Sequence, residues 1–466
     1  MKLFAVVLLT LICCSAETAP PVVAAEPAEF LVRPQIVYQT ITGFGAGMYQ
    51  GTMTDLAPLS PEKREKAYQL VYGPKGLGLN IIRFHISWTA EPLAANAPLR
   101  TKGLRYDWEK DEVTQSVWKA VELSLQHAPS AIVYAVPFTP PVRWKDNGKP
   151  NFGGHVAPEN YGEYAEYLAD FIEYYKTAHG VDIKVLSLQN EPDIAVYWES
   201  CRWTGDELRD FLKILSPVLK KHGLQTKLMV SEGSTWDEAW IRAKPALEDP
   251  IARKDVAILA AHTYGNYDLV DQGRSLLSEA AKTHDIPVWM SETSVIGPPE
   301  DKSIFTALHV AHNIYRDLVE GNASAWIYCF LIFNANFHGS MGVLAPVKEN
   351  ELVVPKRFWA IANYSQFIRP GWKRIKVDGL KFANSAFINP EGDKFAIVAL
   401  NASVNSRPVT YKFNRSEIRD VRVFQTSADY DLSEIDVHVD SRSEVGFTLA
   451  PFSVTTFVGG LQIHDK

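Results

Sequence analysis

Two glutamates stand where an apolar run gives way to a polar turn. Glu191 follows Asn190 in LSLQNEPD, and Glu292 closes the apolar run of VWMSETS. Glycoside hydrolysis requires two facing carboxylic acids: one protonates the leaving oxygen, and the other attacks the anomeric carbon or activates water. Glu191 and Glu292 are therefore candidate catalytic residues. Glu232, in MVSEGS, is a third carboxylate of this kind, which we rank lower because no cluster of neutral partners adjoins it in the sequence.

Other polar and aromatic side chains also lie at the ends of apolar runs. The candidate substrate-binding residues are Arg83, Trp144, Asn190, His262, Tyr264 and Trp326. Hydrogen-bonding groups of this kind orient carboxyls, and indole rings offer flat apolar faces to sugars. The alternative is structural: each glutamate would cap a helix or pair with Arg83, and Trp144, Trp289 and Trp326 would be core aromatics. The number of such groups beside two carboxylates favours a catalytic interpretation.

The elements that must position these groups are strands alternating with helices. Eight short β-branched or apolar runs span residues 41–45, 79–86, 131–137, 183–188, 227–231, 256–262, 286–291 and 324–331. Stretches with helical spacing of apolar residues separate them, such as 159–180, 204–223 and 302–321. Strands that are apolar on both faces indicate a parallel sheet covered by helices. We predict an α/β fold, a (β/α)₈ TIM barrel, whose chemistry lies at the carboxyl ends of the strands.

The pattern changes after Pro370 to short strand-like pieces broken by Gly, Asn, Pro and Asp, which predicts a side-associated all-β sandwich domain. The segment EFLVRPQIVYQTITG before the barrel is also strand-like. The predicted units are a signal peptide (1–16), a flexible leader (17–30), strands contributed to the β-domain (31–43), the catalytic barrel (44–365) and the β-sandwich domain (366–466).

The N-terminal segment predicts a secreted, periplasmic or cell-surface protein. MKLFAVVLLTLICCSA has a basic residue, an apolar run and a small residue before a possible cleavage site after Ala16, as signal peptides do. A lipid anchor at Cys13 or Cys14 is the alternative. Processing would leave Cys201 and Cys329, which do not define a disulfide framework, so whether they are bridged stays open.

Composition excludes several classes of partner. A formal net charge of -7, without a cluster of Lys and Arg, argues against nucleic acid, and no later apolar run is long enough to span a membrane. His85 and His262 lack companions at metal-ligand spacing, so we expect no metal, and we expect no other cofactor. The strand ends offer no Lys for a Schiff base, and no GxSxG motif marks a serine nucleophile. We expect a monomer that acts on a polysaccharide or oligosaccharide.

Six motifs occur in the order and approximate spacing of glycoside hydrolase family 30, which the chain resembles over nearly its whole mature length. They are ITGFGAGMYQ, TPPVRWKDNGKPNFGG, LSLQNEPD, AHTYG, WMSETS and AWIYCF. The resemblance implies a retaining mechanism, with Glu191 as general acid/base and Glu292 as nucleophile.

The same resemblance implies roles for the neighbouring residues. Asn190 would hold the sugar 2-hydroxyl, Tyr264 and His262 would orient the nucleophile, and Arg83 would support the acidic cluster. The two tryptophans of the candidate set, Trp144 and Trp326, would form the floor of the subsite for the attacked sugar.

The segment after NEPD resembles the family's xylan-cleaving members, so a xylanase is the expected activity. Aromatic residues that could stack on consecutive sugars are Trp88, Trp144, Tyr197, Trp198 and Trp203. Glucuronoxylan-specific members carry an Arg shortly after the strand-eight Trp, whereas this chain reads IYCFLIFNANFHG there. The alternatives are a β-1,6-glucanase, galactanase or glucosylceramidase-like glycosidase of the same family, or a carbohydrate-binding protein without turnover. Endo or exo action, linkage and glycosylation of Asn322, Asn363, Asn401 and Asn414 stay open.

Overall fold

The structure, a computed structural model, describes most of the chain. The described residues are 27–93, 103–265, 272–295, 297, 301–333, 341–347, 350–380, 382–439 and 441–464. The predicted signal peptide, both possible lipidation sites and most of the predicted leader therefore lie outside the described residues. None of the described helices is long and apolar enough to cross a membrane.

Eight parallel strands close into a barrel, as the sequence predicts. In barrel order they are β2 (Gly43–Met48), β3 (Ile81–Ile86), β4 (Ile132–Pro137), β5 (Val185–Ser187), β6 (Lys227–Gly233), β7 (Ile258–His262), β8 (Val288–Thr293) and β9 (Ala323–Tyr328). Each of the eight predicted runs contains or overlaps one of these strands. Alternate residues fill the barrel interior, among them Tyr134, Met229 and Trp289, while the residues between them pack against the helices.

The helices cover the outside of the barrel and connect its strands. They are α1 (Thr52–Leu56), α2 (Pro61–Tyr72), α3 (Glu112–His127), α4 (Tyr161–His179), α5 (Gly205–Lys221), α6 (Trp236–Glu248), α7 (Gln272–His284), α8 (Ile304–Val319) and α9 (Lys356–Ser365). Local sequence fixes the start of α5, where Thr204 and Glu207 form a capping box in which each side chain binds the other's backbone N–H.

The second domain is one nine-stranded sheet. It contains β1 (Ala28–Thr40), β12 (Lys373–Gly379), β13 (Asn384–Ile388), β14 (Lys394–Asn401), β15 (Arg407–Phe413), β16 (Ser416–Thr426), β17 (Ser433–Ile435), β18 (Glu444–Leu449) and β19 (Ser453–Ile463). The sheet folds over on itself, since Phe395 of β14 packs on Phe413 of β15 and Phe457 of β19 on Phe447 of β18. A single curled sheet thus forms the sandwich-like core. A separate hairpin joins β10 (Ala345–Val347) and β11 (Glu351–Val353).

The segment before the barrel belongs to this sheet. Strand β1 pairs with β12 on one side and with β15 on the other. It begins at Ala28, so residues 28–30 are part of the sheet rather than of the leader predicted over 17–30. Cys201 and Cys329 are both buried and unbridged. Two of the four N-x-S asparagines, Asn363 and Asn401, are fully buried.

Candidate active site

Irregular strand ends turn the acidic side chains into the barrel mouth. Between β6 and β7 the register shifts at Glu232, and between β7 and β8 it shifts so that His262 lies opposite Glu292. Glu191 and Glu232 have φ of 42° and 54°, in the left-handed region that costs a non-glycine residue about 1–3 kcal/mol. The Glu191 N–H donates to the Glu232 carbonyl at 3.1 Å. Bulges and strained backbone of this kind concentrate at functional sites.

The Glu292 carboxylate is held by a cation and a phenol. Its Oε2 lies 2.6 Å from Nη1 of Arg83, and its Oε1 accepts a hydrogen bond of 2.9 Å from the Tyr264 hydroxyl. Arg83 is fully buried in β3. Burial, followed by the charge of Glu292, raises the pKa of Tyr264 well above its ordinary value, so this phenol remains a donor. Glu292 is therefore fixed in orientation and ion-paired.

Glu191 has a different environment, which favours its protonated form. Its side chain is almost completely buried, and burial raises its pKa, an effect that the hydrogen bond from His262 Nδ1 at 3.1 Å only partly opposes. The preceding residue, Asn190, accepts a hydrogen bond of 2.6 Å from Nη2 of Arg83. Arg83 thus links the two predicted catalytic positions, contacting Glu292 with one nitrogen and the neighbour of Glu191 with another.

Glu232, which the sequence ranked third, lies at the centre of this network. Its Oε1 accepts a hydrogen bond from the Tyr134 hydroxyl and lies 3.5 Å from Arg83 and 3.4 Å from His262 Nε2. Burial alone would raise its pKa, but Arg83 and His262 lower it to about 2. The contact with Tyr134 also went unpredicted. The sequence offered one signal for Glu232, which was its place at a strand end beside a Ser. Strand alternation counted from Met229 would have turned the Glu232 side chain outward.

His262 is a buried cation between carboxylates. Burial lowers its pKa, but Glu292, Glu191 and Glu232 together raise it to about 10. It donates to Glu191 and Glu232, while the charge of Glu292 also acts on it. Its role in orienting the nucleophile stays a prediction. One carboxylate oxygen of Glu191, one ring nitrogen of His262 and one carboxylate oxygen of Glu292 lie within 4.8 Å of one another. Both ring nitrogens of His262 already lie against carboxylates, Nδ1 at 3.1 Å from Glu191 and Nε2 at 3.4 Å from Glu232.

Neither predicted tryptophan lines the mouth as a sugar platform. Trp326 is fully buried, and its Nε1–H donates to Asp317 of α8 at 3.0 Å, on the helix side of β9. Trp144 is 8% exposed and packs against the rings of Tyr164 and Tyr167 on α4. Both predictions of a stacking role are corrected to core packing, because in each case the ring points toward the helix layer rather than into the mouth.

Exposed aromatic rings occur instead on the loop that follows Glu191. Tyr197 and Trp198 are 74% and 41% exposed, with ring centroids 4.6 Å apart. Phe152, on the loop after β4, is 58% exposed, and its N–H donates to the carbonyl of Val196 at 2.7 Å. Of the other predicted platforms, Trp203 is buried. The loop after β4 and the loop after Glu191 are thus joined by a backbone hydrogen bond and carry three exposed aromatic rings.

The barrel mouth brings two glutamates together beside a buried Arg, and sequence comparison assigns the family. The profile described as O-glycosyl hydrolase family 30 matches residues 71–342. The chain belongs to this family and is a glycoside hydrolase.

Relatives of this chain include enzymes with different named activities. It is 27% identical over 433 residues to the glucuronoxylanase XynC of Bacillus subtilis (strain 168), covering 90% of this chain and 89% of the relative. It is 21% identical over 411 residues to the lysosomal acid glucosylceramidase of Mus musculus, covering 81% and 78%. Among solved structures, the catalytic domain of family 30 xylanase C from Talaromyces cellulolyticus superposes with a TM-score of 0.77 at 23% identity, covering 92% and 99%.

Proposed function

We propose that the chain is a retaining β-glycosidase in which Glu191 is the general acid/base and Glu292 the nucleophile. The observation that carries this proposal is the pair itself: an oxygen of Glu191 lies within 4.8 Å of an oxygen of Glu292, in opposite electrostatic environments. Retaining glycosidases hold their carboxyls about 5–5.5 Å apart, and inverting enzymes need more than about 6.5 Å for a water between them.

The two environments suit the two steps of a double displacement. In the first step, Glu292 attacks the anomeric carbon while protonated Glu191 gives its proton to the leaving oxygen, which forms a glycosyl-enzyme. In the second, Glu191 takes a proton from water, and the water oxygen displaces Glu292. Arg83 and Tyr264 hold the nucleophile, and the hydrogen bond from Arg83 to the Asn190 oxygen leaves the amide nitrogen of Asn190 as a donor for a sugar hydroxyl.

The proposed substrate is a β-linked xylan-type chain. The 27% identity to a glucuronoxylanase supports this assignment, as do the exposed rings of Tyr197 and Trp198, which can stack on successive sugars. The sequence from Ile327 to Ser340 contains no Arg, the residue best suited to grip a uronate carboxylate. Hydrolysis should therefore not require glucuronyl branches.

A second substrate class is a β-linked hexoside: a β-1,6-glucan, a galactan or a glucosylceramide. The similarity to the mouse lysosomal glucosylceramidase, which covers 81% of this chain, supports this second class. A carbohydrate-binding protein without turnover is a weaker alternative, since both glutamates are present and placed.

Product analysis on matched polymers tests the substrate. Glucuronoxylan and debranched xylan of equal chain length should both be cleaved, and β-1,6-glucan, galactan and glucosylceramide should not. Cleavage of glucuronoxylan alone would refute branch independence. Activity confined to a glucan, galactan or glucosylceramide would replace the xylan assignment.

We also propose that the protein is exported. The support is the segment MKLFAVVLLTLICCSA, with its basic residue and apolar run. N-terminal sequencing of the protein from the culture medium of expressing cells should begin near Glu17. Retention of the full N-terminus inside the cells would contradict this proposal.

A further inference from the structure

A polar pocket of about 300 Å³ lies between the barrel and the β-domain. Its lining residues include Tyr38 of β1, Lys282 of α7, Asn322 before β9, Arg374 and Lys376 of β12, and Asn384 of β13. Because Asn322 precedes its barrel strand and Lys282 lies near the end of the helix before β8, the pocket is at the amino-terminal face of the barrel. It is therefore on the side opposite the glutamates.

Arg374 is a buried cation without an acidic partner. It is 8% exposed, and its guanidinium lies 3.9 Å from the centre of the Tyr38 ring. Nε donates to the Gln39 side chain at 2.9 Å, and Nη2 reaches the Asn322 oxygen only at 3.5 Å. In the part of the chain that the structure describes, Arg374 has no ion pair and Nη1 has no hydrogen-bond acceptor. A buried charge is costly unless it is paired, so Arg374 is a candidate partner for an anion that enters the pocket.

The other charges around the pocket leave it positive. Lys376 pairs with Asp378 at 3.0 Å, and the Glu320 carboxylate pairs with Arg316 at 2.9 Å. Lys282, which is exposed, has no carboxylate partner among the described residues. Glu320 also lines the pocket, but among the described residues neither Arg374 nor Lys282 has a carboxylate within ion-pair distance. Burial lowers the pKa of Arg374 to about 10, a value at which it is still charged at neutral pH.

We propose that this pocket binds the carboxylate-bearing sugar of an acidic glycan, a uronic acid residue. An arginine presents a planar fork of donors that matches a carboxylate, and Lys282 adds a second charge. The amides of Asn322 and Asn384 and the hydroxyls of Ser278 and Ser385 supply partners for sugar hydroxyls. The volume lies at the small end of the range for small-molecule sites, which suits one sugar ring. The pocket would hold an acidic glycan without contact with the catalytic mouth.

Calorimetric titration of the full chain with glucuronate tests the proposal. Glucuronate should bind and glucose should not, and Arg374→Met and Lys282→Met should each weaken binding, the former by about tenfold or more because it removes a charge-assisted contact. Lys244 is an exposed residue of α6. Lys244→Met is the matched control and should bind glucuronate as the parent does. Hydrolysis of an aryl glycoside should be unchanged in Lys282→Met, which separates this site from the catalytic one.

Three results would overturn the assignment. The first is the absence of heat with glucuronate. The second is undiminished binding in Lys282→Met, which decides the matter even if Arg374→Met does not fold, as circular dichroism would show. The third is binding of inorganic sulfate or phosphate without binding of glucuronate, which would identify the pocket as a site for a small oxyanion rather than for a sugar acid.

Discussion

An oxygen of Glu191 lies within 4.8 Å of an oxygen of Glu292 across the mouth of the barrel. Glu191 follows β5, and Glu292 lies in β8, three strands further round the ring. Two buried cations hold them: Arg83 pairs with Glu292, and His262 contacts Glu191. Retaining glycosidases hold their two carboxyls about 5–5.5 Å apart, and inverting enzymes hold them more than about 6.5 Å apart, so this closeness predicts the stereochemistry of the reaction.

The first prediction is retention of anomeric configuration. Because the carboxyls are close enough for direct attack by Glu292, the first-formed product of a β-glycoside should be the β-anomer. Proton NMR recorded during the first minutes of hydrolysis, before mutarotation, measures it. An α-anomer as the first product would show that water attacks directly and would exclude the double displacement.

Replacement of the proposed nucleophile, Glu292, should abolish turnover without unfolding the protein. Glu292→Ala should lower kcat by several orders of magnitude, since the covalent step is lost. Azide should restore activity and give a glycosyl azide of inverted configuration. Glu279→Ala, an exposed glutamate on α7, is the matched control and should retain full activity. Normal turnover by Glu292→Ala would refute the assignment.

The loss of rate on removing Glu191, the proposed acid/base, should depend on the leaving group of the substrate. In Glu191→Ala, hydrolysis of xylan should fall by about 10²–10⁴-fold, the usual contribution of general acid catalysis. Formation of the glycosyl-enzyme from an activated aryl glycoside, whose leaving group needs no proton, should be much less affected. Rates over a series of aryl leaving groups measure this, and an equal loss for all of them would argue that Glu191 has another role.

The third carboxylate, Glu232, should contribute to the free energy of unfolding of the protein. Removing one partner of a buried ion pair typically costs about 3–5 kcal/mol, so Glu232→Gln should lower the free energy of unfolding by about this amount. The lowered pKa of Glu232, about 2 against 4.5, gives stability that is present above pH 4.5 and is lost as pH falls through about 2. The raised pKa of His262, about 10 against 6.5, gives stability that is complete below pH 6.5 and is lost as pH rises through about 10.

Urea unfolding over a pH series measures both effects. Without Glu232, the His262 imidazolium loses one of its carboxylates, so its folded-state pKa should fall. The alkaline loss of stability, which begins near pH 6.5 in both proteins, should therefore be smaller and end at lower pH in Glu232→Gln than in the parent. Identical alkaline profiles would show that Glu232 does not hold the charge of His262.

The exposed aromatic loop should matter for polymers only. Trp198→Ala should lower kcat/KM for long xylan several-fold and leave an aryl xyloside unaffected, since stacking is worth about 0.5–1.5 kcal/mol and a small substrate does not reach the loop. Trp326→Phe is the matched contrast. It removes the buried hydrogen bond to Asp317, so it should reduce stability by about 1–3 kcal/mol without distinguishing the two substrates. Equal losses on both substrates in Trp198→Ala would contradict the platform.

The sequence predicted the barrel because its signals are local and repeated. Continuous apolar runs of strand length, separated by helical spacing, allow few other folds, and each run reappears as a strand. The carboxylates could be placed at the mouth because they end such runs. The predicted strand boundaries differ from the observed ones by a few residues. Strand β5, predicted over 183–188, spans only Val185–Ser187. Pairing of β1 with β12 and β15 depends on residues more than 300 positions apart, and only a strand-like pattern hinted at it.

The sequence by itself determined which residues end the strands, and the tertiary structure decided which way they face. A buried parallel strand is apolar on both sides, so its pattern does not distinguish inside from outside. Trp326 therefore looked like a sugar platform, although it alternates with the interior residues Ala325 and Ile327 and faces α8. Glu232 turns inward only because the register shifts beside it. Such a shift arises from the closure of the barrel and the packing of neighbouring strands, which no single run of residues contains.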